Sequence, residues 1–184
     1  MPEARLEHAG TGLTPVSDGW FVVNAREAAW IRHETFGLRC VFETNGAVAR
    51  ARAGLDPLLF EQLGIHLSVF EPGQPSTLYH AEADNQEDFL VLAGECICIV
   101  EGEERRLGQW DFVHCPPGTA HAFVGAGEAP CVLLMVGSRR TRTVRYVGSP
   151  VAAARGAAVE QETDSPAEAY APFGHWSNDG SSPF

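Results

Sequence analysis

The chain has 184 residues and a formal net charge of −11, which suits one acidic domain. Its 45% hydrophobic and 20% charged residues match an ordinary globular protein. That charge excludes sequence-independent binding to nucleic acid or to anionic membranes, since both need clustered Lys and Arg. The one basic cluster, Arg139, Arg140, Arg142 and Arg145, is too short to reverse this.

No stretch approaches the roughly 18 apolar residues of a membrane helix. Met1–Gly10 carries charged residues without an apolar run, so no secretory signal is expected there. The five cysteines, Cys40, Cys96, Cys98, Cys115 and Cys131, form no C-x-x-C pair and are odd in number. Free thiols of this kind suit a reducing cytosol, and a cytoplasmic location is expected. Each is read as a small buried hydrophobe.

In chain order, Asn24 followed by Glu27 has the spacing of a capping box and predicts one or two helical turns over Ala25–Ile31. From Ile65 to Val136 short apolar runs alternate with Gly, Pro and Asp/Asn, the pattern of β-sandwiches and barrels. The predicted strands are Ile65–Phe70, Phe89–Leu92, Cys96–Val100, Phe112–Cys115 and Cys131–Val136. Glu101-Gly102-Glu103-Glu104 and Gly125-Ala126-Gly127-Glu128 read as turns, because Gly supplies positive φ. Several runs are apolar on both faces, so the outer face should also be covered, by the terminal segments or by a second copy. Val151–Ala158 and Pro166–Tyr170 read as short helices, the second with Pro at its first position. Gly174–Phe184 has a composition that predicts little order.

The chemistry-bearing stretch runs from Pro72 to Phe123. His80 and Glu82 are two apart on a strand and face one way. Glu87 follows at the start of the next strand, and the rigid Pro116-Pro117-Gly118 corner delivers His121 toward the same interior. Imidazole nitrogen with carboxylate oxygen suits zinc, manganese, iron, cobalt or nickel. There is no G-x-S-x-G, P-loop or dinucleotide-binding glycine pattern.

These residues resemble the motifs of the cupin superfamily, G-x5-H-x-H-x3,4-E-x6-G and G-x5-P-x-G-x2-H-x3-N. His80 and Glu82 take the two H-x-H positions, Glu87 the glutamate and Gly94 the closing glycine. Pro116, Gly118 and His121 match the core of the second motif. The departures are an extra residue between Gly73 and His80, Trp110 and Gly125 at the ends of the second motif, and Glu82 for a histidine.

The resemblance implies an all-β fold, a double-stranded β-helix (jelly-roll, cupin) barrel with short helices in the N- and C-terminal extensions. Residues 1–61 are expected to pack on the barrel, residues 62–147 to form it, and residues 148–184 to be a tail whose last ten residues are poorly ordered. It also implies one divalent ion on His80, Glu82, Glu87 and His121. Ligand hardness favours zinc, manganese or iron, with nickel a further candidate. Glu82 either ligates or is free for acid–base work, and Glu82 and Glu87 are the candidate catalytic groups. Tyr79, Gln86 and His66 are candidate substrate contacts, although His66 also fits a structural role. Trp30, His33 and Trp176 read as packing or surface residues.

The expected function is a metal-dependent enzyme acting on a small polar metabolite inside the barrel, isomerase-like or dioxygenase-like. The alternative is a non-catalytic metabolite-binding protein with a structural metal. A small-molecule ligand and a homodimer are expected, with neither nucleic acid nor membrane as partner.

Overall fold

The computed structural model describes residues 1–43, 58–141 and 143–184. Arg142 of the basic cluster and residues 44–57 of the N-terminal extension lie outside the described residues. Fourteen strands are described: β1 Leu6–Ala9, β2 Gly12–Pro15, β3 Trp30–His33, β4 Gly37–Val41, β5 Leu63–Phe70, β6 His80–Glu82, β7 Glu87–Ala93, β8 Glu95–Val100, β9 Glu103–Leu107, β10 Phe112–Cys115, β11 His121–Ala126, β12 Cys131–Ser138, β13 Val144–Tyr146 and β14 Ser177–Gly180.

Two sheets hold the core. One runs β10-β7-β12-β5-β4-β3-β14 and the other β13-β6-β11-β8-β9. The strand pairings described within them are all antiparallel. Between them Phe70, Phe89, Val91, Leu133 and Met135 of the first sheet meet Cys96, Cys98 and Phe123 of the second. This is the expected jelly-roll, with alternate residues of each strand turned inward.

The strands with two apolar faces are covered on the outside by terminal segments. Val23, Ala25 and Ala28 pack on Trp30, Cys40, Leu67, Val69 and Val132. Across the molecule, Ala152 and Ala157 pack on Ile99, Ala122 and Val124. Ala152 belongs to the short helix Pro150–Ala153, whose first turn is capped by the Ser149 hydroxyl accepting from the Ala152 N–H. A second short helix, Pro166–Ala169, begins at Ser165 as its spacing predicts.

The five predicted strands all form, most of them extended by a residue or two. Glu101 and Gly102 make the two-residue β8–β9 hairpin, with φ of 49° and 77°, the double positive φ of a primed turn. Four features differ from the sequence reading, the first being the helix expected over Val151–Ala158, which is confined to Pro150–Ala153 and ends at the Ala154 cap. Residues 25–31 make a single turn, closed by the Ala28 N–H on the Asn24 carbonyl, and then enter β3. The Asn24 side chain accepts from the Arg26 N–H, an Asx turn in place of a capping box. Trp30 and Ile31 are both buried, and a strand sandwiched on two faces accommodates that where a surface helix would not. Gly125 and Ala126 continue β11, and the turn begins at Gly127. Finally, residues 177–180 of the Ser/Gly-rich end form β14, paired with β3.

Candidate metal centre

His80 opens β6 and His121 opens β11, and the two face each other directly in the antiparallel register. Glu87 opens β7 in the opposite sheet. Its side chain lies against Gly137 of β12, where an added Cβ would sit 3.5 Å from Glu87 Cγ and Oε1. Each of the three is thus the first residue of a strand, projecting into the space between the sheets at one end.

The Glu87 carboxylate lies 3.3 Å from His121 Nε2 and 3.9 Å from His80 Nε2. One ligand atom from each residue falls within 4.8 Å of the other two. The histidine tautomers follow from their neighbours. His80 Nδ1 donates to the Leu78 carbonyl at 2.7 Å and His121 Nδ1 to the Thr119 carbonyl at 3.0 Å. A carbonyl can only accept, so Nδ1 carries the proton and Nε2 presents a lone pair inward. Burial holds both rings neutral. It lowers His80, and it lowers His121 to about 3 with the neighbouring His80 adding to the effect. Burial, then the charge of Glu82, raises Glu87 to about 8.

Glu87 Oε2 is buried and has no hydrogen-bond partner. With Glu87 ionised, three acceptor atoms converge with no donor among them, an arrangement that a cation would satisfy and that would hold the carboxylate charged. Two imidazoles and one carboxylate fit a divalent transition ion and leave coordination positions open. The centre is walled by rings: Phe89 lies 5.0 Å from the His121 ring and Tyr146 5.7 Å from that of His80.

Glu82 stands outside this three-residue group. It shares the face of His80, but its Oε2 accepts from Asn85 Nδ2 at 2.6 Å, and its carboxyl is raised by burial against that hydrogen bond. Tyr79, just before β6, is turned away from the interior. Its ring packs with Ile99 and Ala122, and its hydroxyl accepts from the Gly102 N–H at 3.0 Å. Gln86 donates to Asp88 at 2.5 Å, and Asp88 also meets the exposed ring of His114, on the outside of the sheet. His66, on β5, faces inward with a buried Nε2 that lacks a hydrogen-bond partner. Burial, then the charge of Arg39, keeps it far below its ordinary pKa.

Three inward groups carry no signal in the sequence. Arg39 of β4, Tyr146 of β13 and Tyr170 share the same interior. The Tyr146 and Tyr170 hydroxyls are hydrogen-bonded, and burial raises both. The five thiols are all buried and free. Burial pushes Cys98 and Cys115 up to about 12, which makes them inert packing groups.

Residues 66–137 match the family model described as "Cupin domain". None of the curated proteins matches the chain. Among solved structures, the chain is similar to a sugar phosphate isomerase from a cupin superfamily of Silicibacter pomeroyi DSS-3. The identity is 27%, over 60% of this chain and 65% of that one, with a TM-score of 0.45. It is also similar to KdgF from Halomonas sp., at 21% identity over 67% of this chain and 96% of that one, with a TM-score of 0.47. A third is the DMSP lyase DddQ from Ruegeria pomeroyi DSS-3, at 24% identity over 55% and 45%, with a TM-score of 0.41. The chain thus spans less than two thirds of the isomerase and less than half of the lyase. Both motifs stand on facing strands, and residues 66–137, which carry them, match the cupin domain model.

Proposed function

We propose that His80, Glu87 and His121 hold one divalent ion and that the protein is an enzyme acting on a small polar metabolite between the sheets. The observation that carries this reading is the orphaned, buried Glu87 Oε2 facing two imidazole lone pairs. Three protein ligands leave the ion open to a small molecule, as in catalytic sites, where a closed four-ligand set would serve structure. When bound, the ion would supply Lewis acidity, or dioxygen chemistry if it is iron. The same donor set serves zinc and non-haem iron, so the metal's identity separates an isomerase-like from a dioxygenase-like reaction.

The chain's own residues would do the rest. Glu87 acts as a ligand. Glu82, held by Asn85 and raised by burial, is the better placed of the two carboxylates to accept or return a proton from the bound metabolite. Phe89 and Tyr146 exclude water from the centre. The second reading, a metabolite-binding protein without turnover, keeps the same centre and assigns Glu82 to positioning only.

Elemental analysis of protein purified without added metal tests the centre. About one divalent ion per chain is expected, lost in His121→Ala and in Glu87→Ala while the circular dichroism spectrum is kept. A wild-type chain that holds no metal and takes none up on reconstitution would refute it.

A further inference from the structure

Arg39 sits on the inward face of β4, opposite Ser68 of β5. Ser68 in turn bonds Met135 of the central core. Arg39, His66 and His80 are enclosed by protein, yet each keeps some accessible surface. Arg39 pairs with Ser68 and Val41 with His66, so Arg39 and His66 are diagonal neighbours on the inward face of two adjacent strands.

Two contacts fix this guanidinium. Nη2 donates to the Ser76 carbonyl at 3.1 Å, and one face lies over the Trp176 ring, 4.7 Å from its centroid. Neither neutralises it. The ion pairs formed among the described residues do not include Arg39. Its Nε is buried without a hydrogen-bond partner. An arginine stays charged in a protein, and a buried charge without a counter-ion is costly. What the fold leaves open is one donor edge of a planar cation, beside the imidazole of His66.

We propose that Arg39 is the anchor for a carboxylate group of the small molecule bound at this centre. This deepens the reading above and rests on the interior being the ligand site, whatever ion it holds. A guanidinium edge presents parallel N–H donors that match the two oxygens of a carboxylate. A phosphate dianion would call for more positive charge than one guanidinium, and His66, held neutral, supplies none. The Trp176 stack and the Ser76 bond keep the fork rigid, so little side-chain entropy is lost on binding. The ligand class is a small hydroxy- or oxo-acid, its carboxylate on Arg39 and its other oxygens toward His80, Glu87 and His121.

The test uses glycolate, its neutral isostere glycolamide and inorganic phosphate, titrated into metal-free and zinc-loaded full-length protein. Binding is followed by calorimetry and by tryptophan fluorescence, which Trp176 reports. Glycolate should bind roughly tenfold or more tightly than glycolamide in both forms, and Arg39→Gln should abolish that preference, as expected for a lost charge-assisted hydrogen bond. Metal content in Arg39→Gln should stay at the wild-type level, which separates this outcome from failure of the metal centre. If Arg39→Gln does not fold, Arg39→Lys replaces it: the charge remains, the planar fork is gone, and a clear loss of preference is still expected. Equal affinity for acid and amide, an unchanged preference in either variant, or phosphate binding tighter than glycolate would overturn the assignment.

Discussion

His33 lies between two aromatic rings, 4.8 Å from Phe36 and 5.2 Å from Trp176, and is 5% exposed. Its Nδ1 accepts from the Thr35 N–H at 3.1 Å, which requires the neutral ring. Burial lowers its pKa below the ordinary 6.5, while hydrogen bonds to the backbone at Gly174 and Phe173 pull the other way. A histidine whose folded pKa is depressed stabilises the fold above its unfolded pKa, and that contribution fades as pH falls through the folded value. The melting-temperature advantage of wild type over His33→Gln should therefore shrink as pH falls below 6.5. A constant difference across that range would show that His33 does not report the seating of the tail. The same residue shows what a sequence conceals. His33 and Trp176 read as packing or surface groups, and nothing local indicates that they pack on each other, or that Trp176 also covers Arg39. His80, Glu87 and His121 were legible because they fall within one stretch with fixed spacing. Arg39, Tyr146 and Tyr170 were not, because tertiary pairing alone brings them together.

At the level of elements, β11 shows why a glycine stands where the second motif ends. A Cβ on Gly125 would meet the Glu71 carbonyl oxygen at 2.1 Å. The Gly73 N–H donates to the Gly125 carbonyl at 2.8 Å and the Gly125 N–H to the Gln74 carbonyl at 2.9 Å, stitching the turn after β5 onto this strand. Gly125→Ala must push two backbones apart and should cost about 1–3 kcal/mol or more. Gly108→Ala meets nothing within 4 Å and should stay within about 0.5 kcal/mol of wild type. Denaturant midpoints for the two variants check this, and equal midpoints would contradict it. Strands such as β5, β7 and β12 were legible because both their faces are buried and their apolar runs are long. β9 carries Glu103, Glu104, Arg105 and Arg106, all exposed, and β14 is Ser-Asn-Asp-Gly. Their pairing partners decide such strands and residue preference does not, so pattern reading passed over them. The turn at Asn24 failed for a related reason, since Asn satisfies a local turn as readily as a helix cap.

Across the whole molecule, β10 ends the larger sheet, and beside it Trp110 and Phe112 are 67% and 63% exposed. Trp110 also holds a φ of 75°, where the second motif has glycine. A bulky residue in that region costs roughly 1–2 kcal/mol. A strained, exposed tryptophan next to an open sheet edge is a candidate contact for the homodimer expected from the sequence. Light scattering after size exclusion should give a dimer, and Trp110→Ser with Phe112→Ser should give a monomer with an unchanged circular dichroism spectrum. A monomeric wild type at all concentrations would rule this interface out. The interior also has a chronology. His80, Glu87 and His121 belong to strands complete by residue 126, whereas Tyr146, Tyr170 and Trp176 come later in the chain. On a ribosome, which releases the N-terminus first, the three converging acceptors are all synthesised before the rings around Arg39 exist. The order of translation thus separates the three acceptors, made first, from the aromatic wall that holds the guanidinium, made last.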